Sequence, residues 1–187
     1  MEQQEIKNII ETLLFITDEP ISIEKFKDVF LNEITENQIL ESIQQIKQEH
    51  ISSNSPIELK EIAGGYQFAT KKEYGPWIRR LFKEKITLRL SPPSLETLSI
   101  IAYKQPITRA EIEEIRGVDS SGPLETLLER KLIRITGRKE TVGRPLLYST
   151  TKEFLRYFGL NSLSDLPSLE ELEVSSFQPQ EELFQNE

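Results

Sequence analysis

The 187-residue chain has no cysteine, one histidine, one tryptophan and one methionine. Without thiols there are no disulfides, no thiolate zinc sites and no thiol nucleophile, so the fold must hold by packing alone. No run approaches the roughly 18 consecutive apolar residues needed to span a membrane. The opening MEQQEIKNII is acidic and polar where a secretion signal needs a basic start and an apolar stretch, so a cytoplasmic location is expected. His50 has no nucleophile or ligand set to work with, and a place near the end of a helix suits its charge. Carboxylates such as Glu113 and Glu114 are adjacent on a helix and point apart, as solvated charges do. The glycine-flanked basic stretch from Gly137 to Arg144 lacks the P-loop pattern and reads as a hairpin tip. No enzyme activity, catalytic residue, cofactor or metal is expected.

Charge is unevenly spread around a net −8. Lys and Arg against Asp and Glu number 9 to 14 in residues 1–82, 3 to 1 in 83–90, 11 to 9 in 91–160 and 0 to 7 in 161–187. A free-standing nucleic-acid binder carries a basic excess, because neutralising phosphates and releasing counterions supplies most of its affinity. Only the middle-to-late region has one, and it is slight.

Apolar residues Ile6, Ile9, Ile10, Leu13 and Leu14 recur at helical spacing until Asp18-Glu19-Pro20 breaks the pattern. Ser22 caps a short second helix with Phe26, Val29 and Phe30 inward, and Thr35 with Gln38 forms a capping box before a third helix carrying Ile39, Ile43 and Ile46. Two strands follow between Pro56 and Thr70 around Gly64-Gly65, with Tyr66, Phe68 and Thr70 on one face. A further short helix carries Trp77, Arg80 and Leu81. Lys83-Glu84-Lys85 and Ser91-Pro92-Pro93 mark a linker.

The order then repeats. Leu95, Leu98, Ile101 and Ala102 face inward on a helix ending near Gln105-Pro106. Thr108 and Glu111 box a helix with Ile112 and Ile115 inside and Gly117 past its end. Ser120 or Ser121 caps a third helix, with Pro123 in its first turn and Leu124, Leu127 and Leu128 inward. Strands Leu132 to Ile135 and Pro145 to Ser149 flank the glycine-bearing loop, and Thr151 opens a closing helix with Phe154, Leu155 and Phe158. Three helices and a β-hairpin, twice, describe an α+β, mainly α chain of two tandem winged-helix domains. The boundaries expected are 1–82, a linker 83–90, 91–160 and an acidic tail 161–187, disordered alone, with leucines at 163, 166, 169 and 172.

Winged helices raise a DNA-binding transcriptional regulator as the alternative. Both third helices argue against it. The first presents Glu36, Glu41 and Glu49 against Lys47, the second Glu125 and Glu129 before Arg130, and neither has the arginines that read guanine. Arg138, Lys139 and Arg144 leave room only for weak non-specific DNA contact. Exposed apolar faces remain available to protein partners.

Four stretches carry a resemblance: ETLLFITDEPIS at 11–22, GGYQFAT at 64–70, ETLSIIAYKQPITRAEIEEIRGV at 96–118, and LLERKLIRITGRKETVGRPLLYSTTKEFLRYFGL at 127–160. They resemble the bacterial segregation and condensation protein B family. The resemblance implies a non-catalytic accessory subunit in chromosome condensation, partition and cell division. Such a subunit is a homodimer through its N-terminal domain and holds, through its C-terminal domain, a kleisin (segregation and condensation protein A) that bridges structural-maintenance-of-chromosomes ATPase heads. It would lie in the cytoplasm, associated with the nucleoid, with no membrane contact. For the partner, the family pattern points to Tyr103, Gln105, Pro106, Arg109 and Arg116 in the third stretch, and to Arg138 and Arg144 in the fourth, which also keeps Gly143 and Pro145. Trp77, Leu81 and Phe82 are candidates for the dimer contact, or for packing inside the first domain.

Overall fold

The computed structural model describes residues 1–82, 90–168 and 171. The expected linker lies outside the described residues except for Leu90, as do Leu169 and Leu172. Buried apolar side chains form two clusters, one from each half of the chain.

In the first half, α1 (Gln3–Ile16) lays Ile6, Ile10 and Leu14 against Ile39, Ile43 and Ile46 of α3 (Glu36–Ser52). Burying each such aliphatic side chain is worth about 1.5–3 kcal/mol. Lys7 is buried in the same seam and is paired with Glu49, which keeps the ammonium from being an uncompensated charge. The Thr35–Gln38 capping box is formed as the sequence requires. Ser22 starts α2 (Ile23–Val29) by accepting from the Lys25 amide at 3.3 Å. Val29, expected inside, is exposed, because Phe26 and Phe30 fill the inward face of a helix only seven residues long.

The first hairpin corrects the expected turn. β1 (Ile57–Ile62) and β2 (Gly65–Thr70) pair with Ile62 opposite Gly65, so Ala63 and Gly64 turn the chain at φ 53° and 77°. Positive φ at both central residues matches the twist of the strands they join. Gly65 has another task. Ile21 and Tyr66 exchange two backbone hydrogen bonds of 2.9 Å, and a Cβ on Gly65 would stand 2.9 Å from the Ile21 carbonyl carbon and oxygen. Gly65→Ala is therefore expected to destabilise the first unit by about 1–3 kcal/mol, read as a lower urea midpoint; an unchanged midpoint would mean that the Ile21 segment yields freely. A 3-10 turn (Lys72–Tyr74) then leads into α4 (Gly75–Leu81), which has Pro76 in its first turn.

In the second half, α5 (Pro92–Lys104) begins at Ser91, whose hydroxyl accepts from the Ser94 amide. Leu95, expected inside, lies on the exposed edge of α5. Ser94 and Thr97 are buried instead, their hydroxyls returned to Ser91 and to the Pro93 carbonyl at 2.9 Å. A two-residue strand β3 (Ile107–Thr108), too short to show alternation in the sequence, precedes α6 (Arg109–Arg116). The Thr108–Glu111 box is formed and Gly117 closes α6 with φ 73°. Ile115, expected inside, is exposed on the flank of a helix whose inward face is taken by Ile112.

α7 (Ser121–Glu129) follows, then β4 (Ile133–Arg138), β5 (Leu146–Thr150) and α8 (Lys152–Phe158). The sheet order is β3-β5-β4, all antiparallel. Leu98, Ile101, Ile112, Leu127, Leu132 and Phe154 form the centre of this core, and Leu90, assigned to the linker from sequence, is buried with them.

The segment after α8 is folded as far as the described residues run. The Ala63 amide donates to the Leu160 carbonyl at 2.9 Å, and the Gly64 amide donates to Asn161 Oδ1 at 2.8 Å. Asn161 Nδ2 donates to Glu61 at 2.9 Å, and Arg156 donates to the Asp18 carbonyl at 2.6 Å. The tip of the first hairpin thus meets the end of α8.

Candidate protein-interaction surfaces

A helix held in a fold normally buries one face. α4 buries none of its residues: Trp77 is 66% exposed, Leu81 79% and the following Phe82 47%. The packing explanation for these three side chains is therefore removed within the described residues. Arg80 stacks over the Trp77 ring at 4.8 Å.

The arginines of α6 divide by environment. Arg109 is half exposed and bridges Glu113 and Asp119, each at 2.6 Å. The Glu113 hydrogen bond, ahead of the charges of Glu113 and Asp119, raises its already high pKa; Asp119 is lowered first by Ser121 and also by Arg109. Arg116, a partner candidate from the family pattern, has a side chain only 4% exposed. Its guanidinium donates to Glu96 through Nε and Nη2 at 3.0 Å, and through Nη1 to the Asp119 carbonyl at 3.1 Å and Ser120 Oγ at 2.9 Å. Ser120 therefore does not cap α7 with its hydroxyl; Asp119 accepts the Ser121 amide at 3.1 Å instead. The spacing of Arg109, Glu113 and Asp119 signals the first pair of bridges in the sequence, whereas Glu96, the ionic partner of Arg116, lies twenty positions away.

Gln105 is also turned inward, its Oε1 accepting from the Thr150 amide at 2.8 Å and the Thr150 hydroxyl at 3.0 Å. Pro106, after a cis peptide bond, is exposed. Tyr103 is half-buried and donates its hydroxyl to the Pro167 carbonyl at 2.7 Å. His50 bridges Ser55 at 3.0 Å and Glu11 at 3.4 Å and lies against Phe68, as a structural histidine does.

Two of the three cations at the second hairpin tip are already engaged. Arg138 donates to the Arg144 carbonyl at 3.0 Å, and Lys139 pairs with Glu111 at 2.6 Å; Arg144 is exposed at φ 42°. Lys139 first, and then Thr108, pull the Glu111 carboxyl from its ordinary 4.5 down to about 2. A carboxylate with a depressed pKa adds stability that is complete above the unfolded value and fades as the pH falls towards the folded one. Glu111→Gln is therefore expected to lower the melting temperature at pH 7, with the gap to the parent closing between pH about 4.5 and about 2. A gap that stays constant down to pH ~2 would assign the loss to the capping hydrogen bonds alone. The helix faces offered by α3 and α7 carry exposed Glu36, Glu41 and Glu49, and Glu125 and Glu129, which DNA phosphates would repel.

Among the described residues no cluster of His, Cys, Asp and Glu could hold a metal, and no helix is long and apolar enough to cross a membrane. What the described residues turn outward includes a short helix with exposed Trp77 and Leu81, and arginines paired with neighbouring carboxylates. The family model described as "Segregation and condensation complex subunit ScpB" matches residues 8–169, and the chain belongs to that family. Segregation and condensation protein B of Clostridium tetani is 45% identical over 183 residues, covering 96% of this chain and 95% of the relative. Its namesake from Syntrophotalea carbinolica is 44% identical over 171 residues, covering 91% and 85%. A solved structure described as a dimer of the ScpB N-terminal domain complexed with ScpA peptide is 32% identical, covering 42% of this chain and 95% of that one, with a TM-score of 0.38.

Proposed function

We propose that the chain is a non-catalytic accessory subunit of a chromosome segregation and condensation complex, acting in the cytoplasm at the nucleoid. Each half is a winged helix: the first, residues 1–82, dimerises, and the second, 91–160, binds the kleisin ScpA that bridges structural-maintenance-of-chromosomes ATPase heads. The family match over residues 8–169, which takes in both helix-and-hairpin units, carries this reading. The uncovered Trp77, Leu81 and Phe82 support α4 as the dimer contact, since aromatic anchors concentrate the energy of interfaces. Tyr103, Pro106, Arg109, Arg138 and Arg144 keep surface for the kleisin, whereas Gln105 and Arg116 act by holding that surface in shape.

Affinity purification of the tagged chain from its own cells, with nuclease to remove DNA bridging, is expected to recover a ScpA-type kleisin and its ATPase. Recovery of neither from cells that express both would overturn the proposal. Deletion of residues 91–160 is expected to reduce kleisin recovery while the dimer persists.

A further inference from the structure

Between α5 and α8 the second core is covered by the chain's own residues 161–168. The Asn161 and Ser162 amides donate to Asp165 Oδ2 at 2.7 and 3.0 Å, folding Leu163–Asp165 into a 3-10 turn. That turn brings Leu166 onto the core and places the Pro167 carbonyl under the Tyr103 hydroxyl at 2.7 Å. Beside Leu166 and Pro167 the groove continues as an open cavity of about 340 Å³ lined by Leu98, Ser99, Ala102, Tyr103, Phe154 and Phe158. Phe158 stays 44% exposed along it, so the groove is longer than its cover.

The cover is slight. Leu163, Ser164, Asp165, Pro167 and Ser168 are all exposed, and beyond Leu166 the described contacts hold this stretch to the groove by one phenol hydrogen bond. A segment seated this way displays what the groove accepts: one apolar side chain, followed by a residue such as proline, which brings no amide hydrogen to the apolar wall and offers its own backbone carbonyl to Tyr103. We propose that the α5–α8 groove is a docking site for a short extended segment of the kleisin partner with that chemistry, and that residues 163–168 fill it in the free chain as a removable strap. The identity of the partner rests on the proposed function; the groove and its strap do not. A partner that must displace the strap binds with its affinity reduced by the fraction of chains in which the groove is open.

Two variants of the full chain separate the parts. Asp165→Ala loosens the turn from outside the groove, and Ser99→Trp fills the groove from an exposed position on α5. Titrated against purified ScpA-type kleisin by fluorescence anisotropy, D165A is expected to bind several-fold more tightly than the parent, and S99W about tenfold more weakly. Parent-level binding by both would overturn the strap and groove while leaving the proposed function standing. No binding by the parent chain would overturn the proposed function and the kleisin as occupant. A D165A that strengthened self-association without changing kleisin affinity would give the groove to a second copy of the chain and overturn the assignment.

Discussion

Replacing Trp77 and Leu81 together by alanine is expected to raise the dimer dissociation constant at least ~100-fold, enough to leave monomers at micromolar concentration in analytical ultracentrifugation. The size of the effect follows from where the two side chains sit. Among the described residues no apolar side chain covers either of them, and such exposure of a tryptophan and a leucine one helical turn apart marks a contact surface. Truncating central, desolvated anchors costs about 2–4 kcal/mol or more each. The same exposure predicts that the monomer tolerates the change: α4 contributes no buried residue, so far-ultraviolet circular dichroism should be unaltered. A variant that stays dimeric would place the interface on another element.

Arg116→Ala is expected to cost the second unit about 3–4 kcal/mol, read as lost hydrogen-exchange protection over α6 and α7. The buried aliphatic stem is lost, and the buried Ser120 Oγ and the Asp119 carbonyl lose their donor. Lysine should not restore stability, since a single ammonium cannot bond Glu96, Asp119 and Ser120 from a fork. Arg109→Ala is the control. It sits on the same helix with two ion pairs, yet its side chain is 47% exposed and solvent screens both pairs, so a much smaller loss of protection is expected. Equal losses at both positions would mean that burial is not what separates them.

Much of the fold was legible because local rules and the final packing agree. The Thr35–Gln38 and Thr108–Glu111 boxes open the helices they were expected to open, and the strand pairs fall where turn residues separate apolar runs. The misplacements have one cause. Val29, Leu95 and Ile115 lie on helix flanks, where spacing permits burial and only the neighbouring element decides it. Ser94 and Thr97 were passed over because hydropathy does not count a hydroxyl that bonds its own helix. The turn shifted by one residue because Gly65 is demanded by Ile21, a contact from another part of the chain. Of the interaction residues, the exposure of Trp77, Leu81 and Phe82 depends on what does not pack on them. The burial of Arg116 depends on Glu96, twenty positions away. Neither is a local property.

Asn161 is bonded in three directions: its side chain takes the Gly64 amide and gives to Glu61, while its own amide gives to Asp165. One residue thereby belongs at once to the joint between the two units and to the root of the segment lying across the groove. Free energies that share a residue are coupled in both directions. An event that peeled the segment away as far as Asn161 would break the bonds to Gly64 and Glu61 as well, and one that parted those bonds would free the root of the segment. A complex that bends this subunit would be regulating, by geometry alone, its grip on whatever the groove holds.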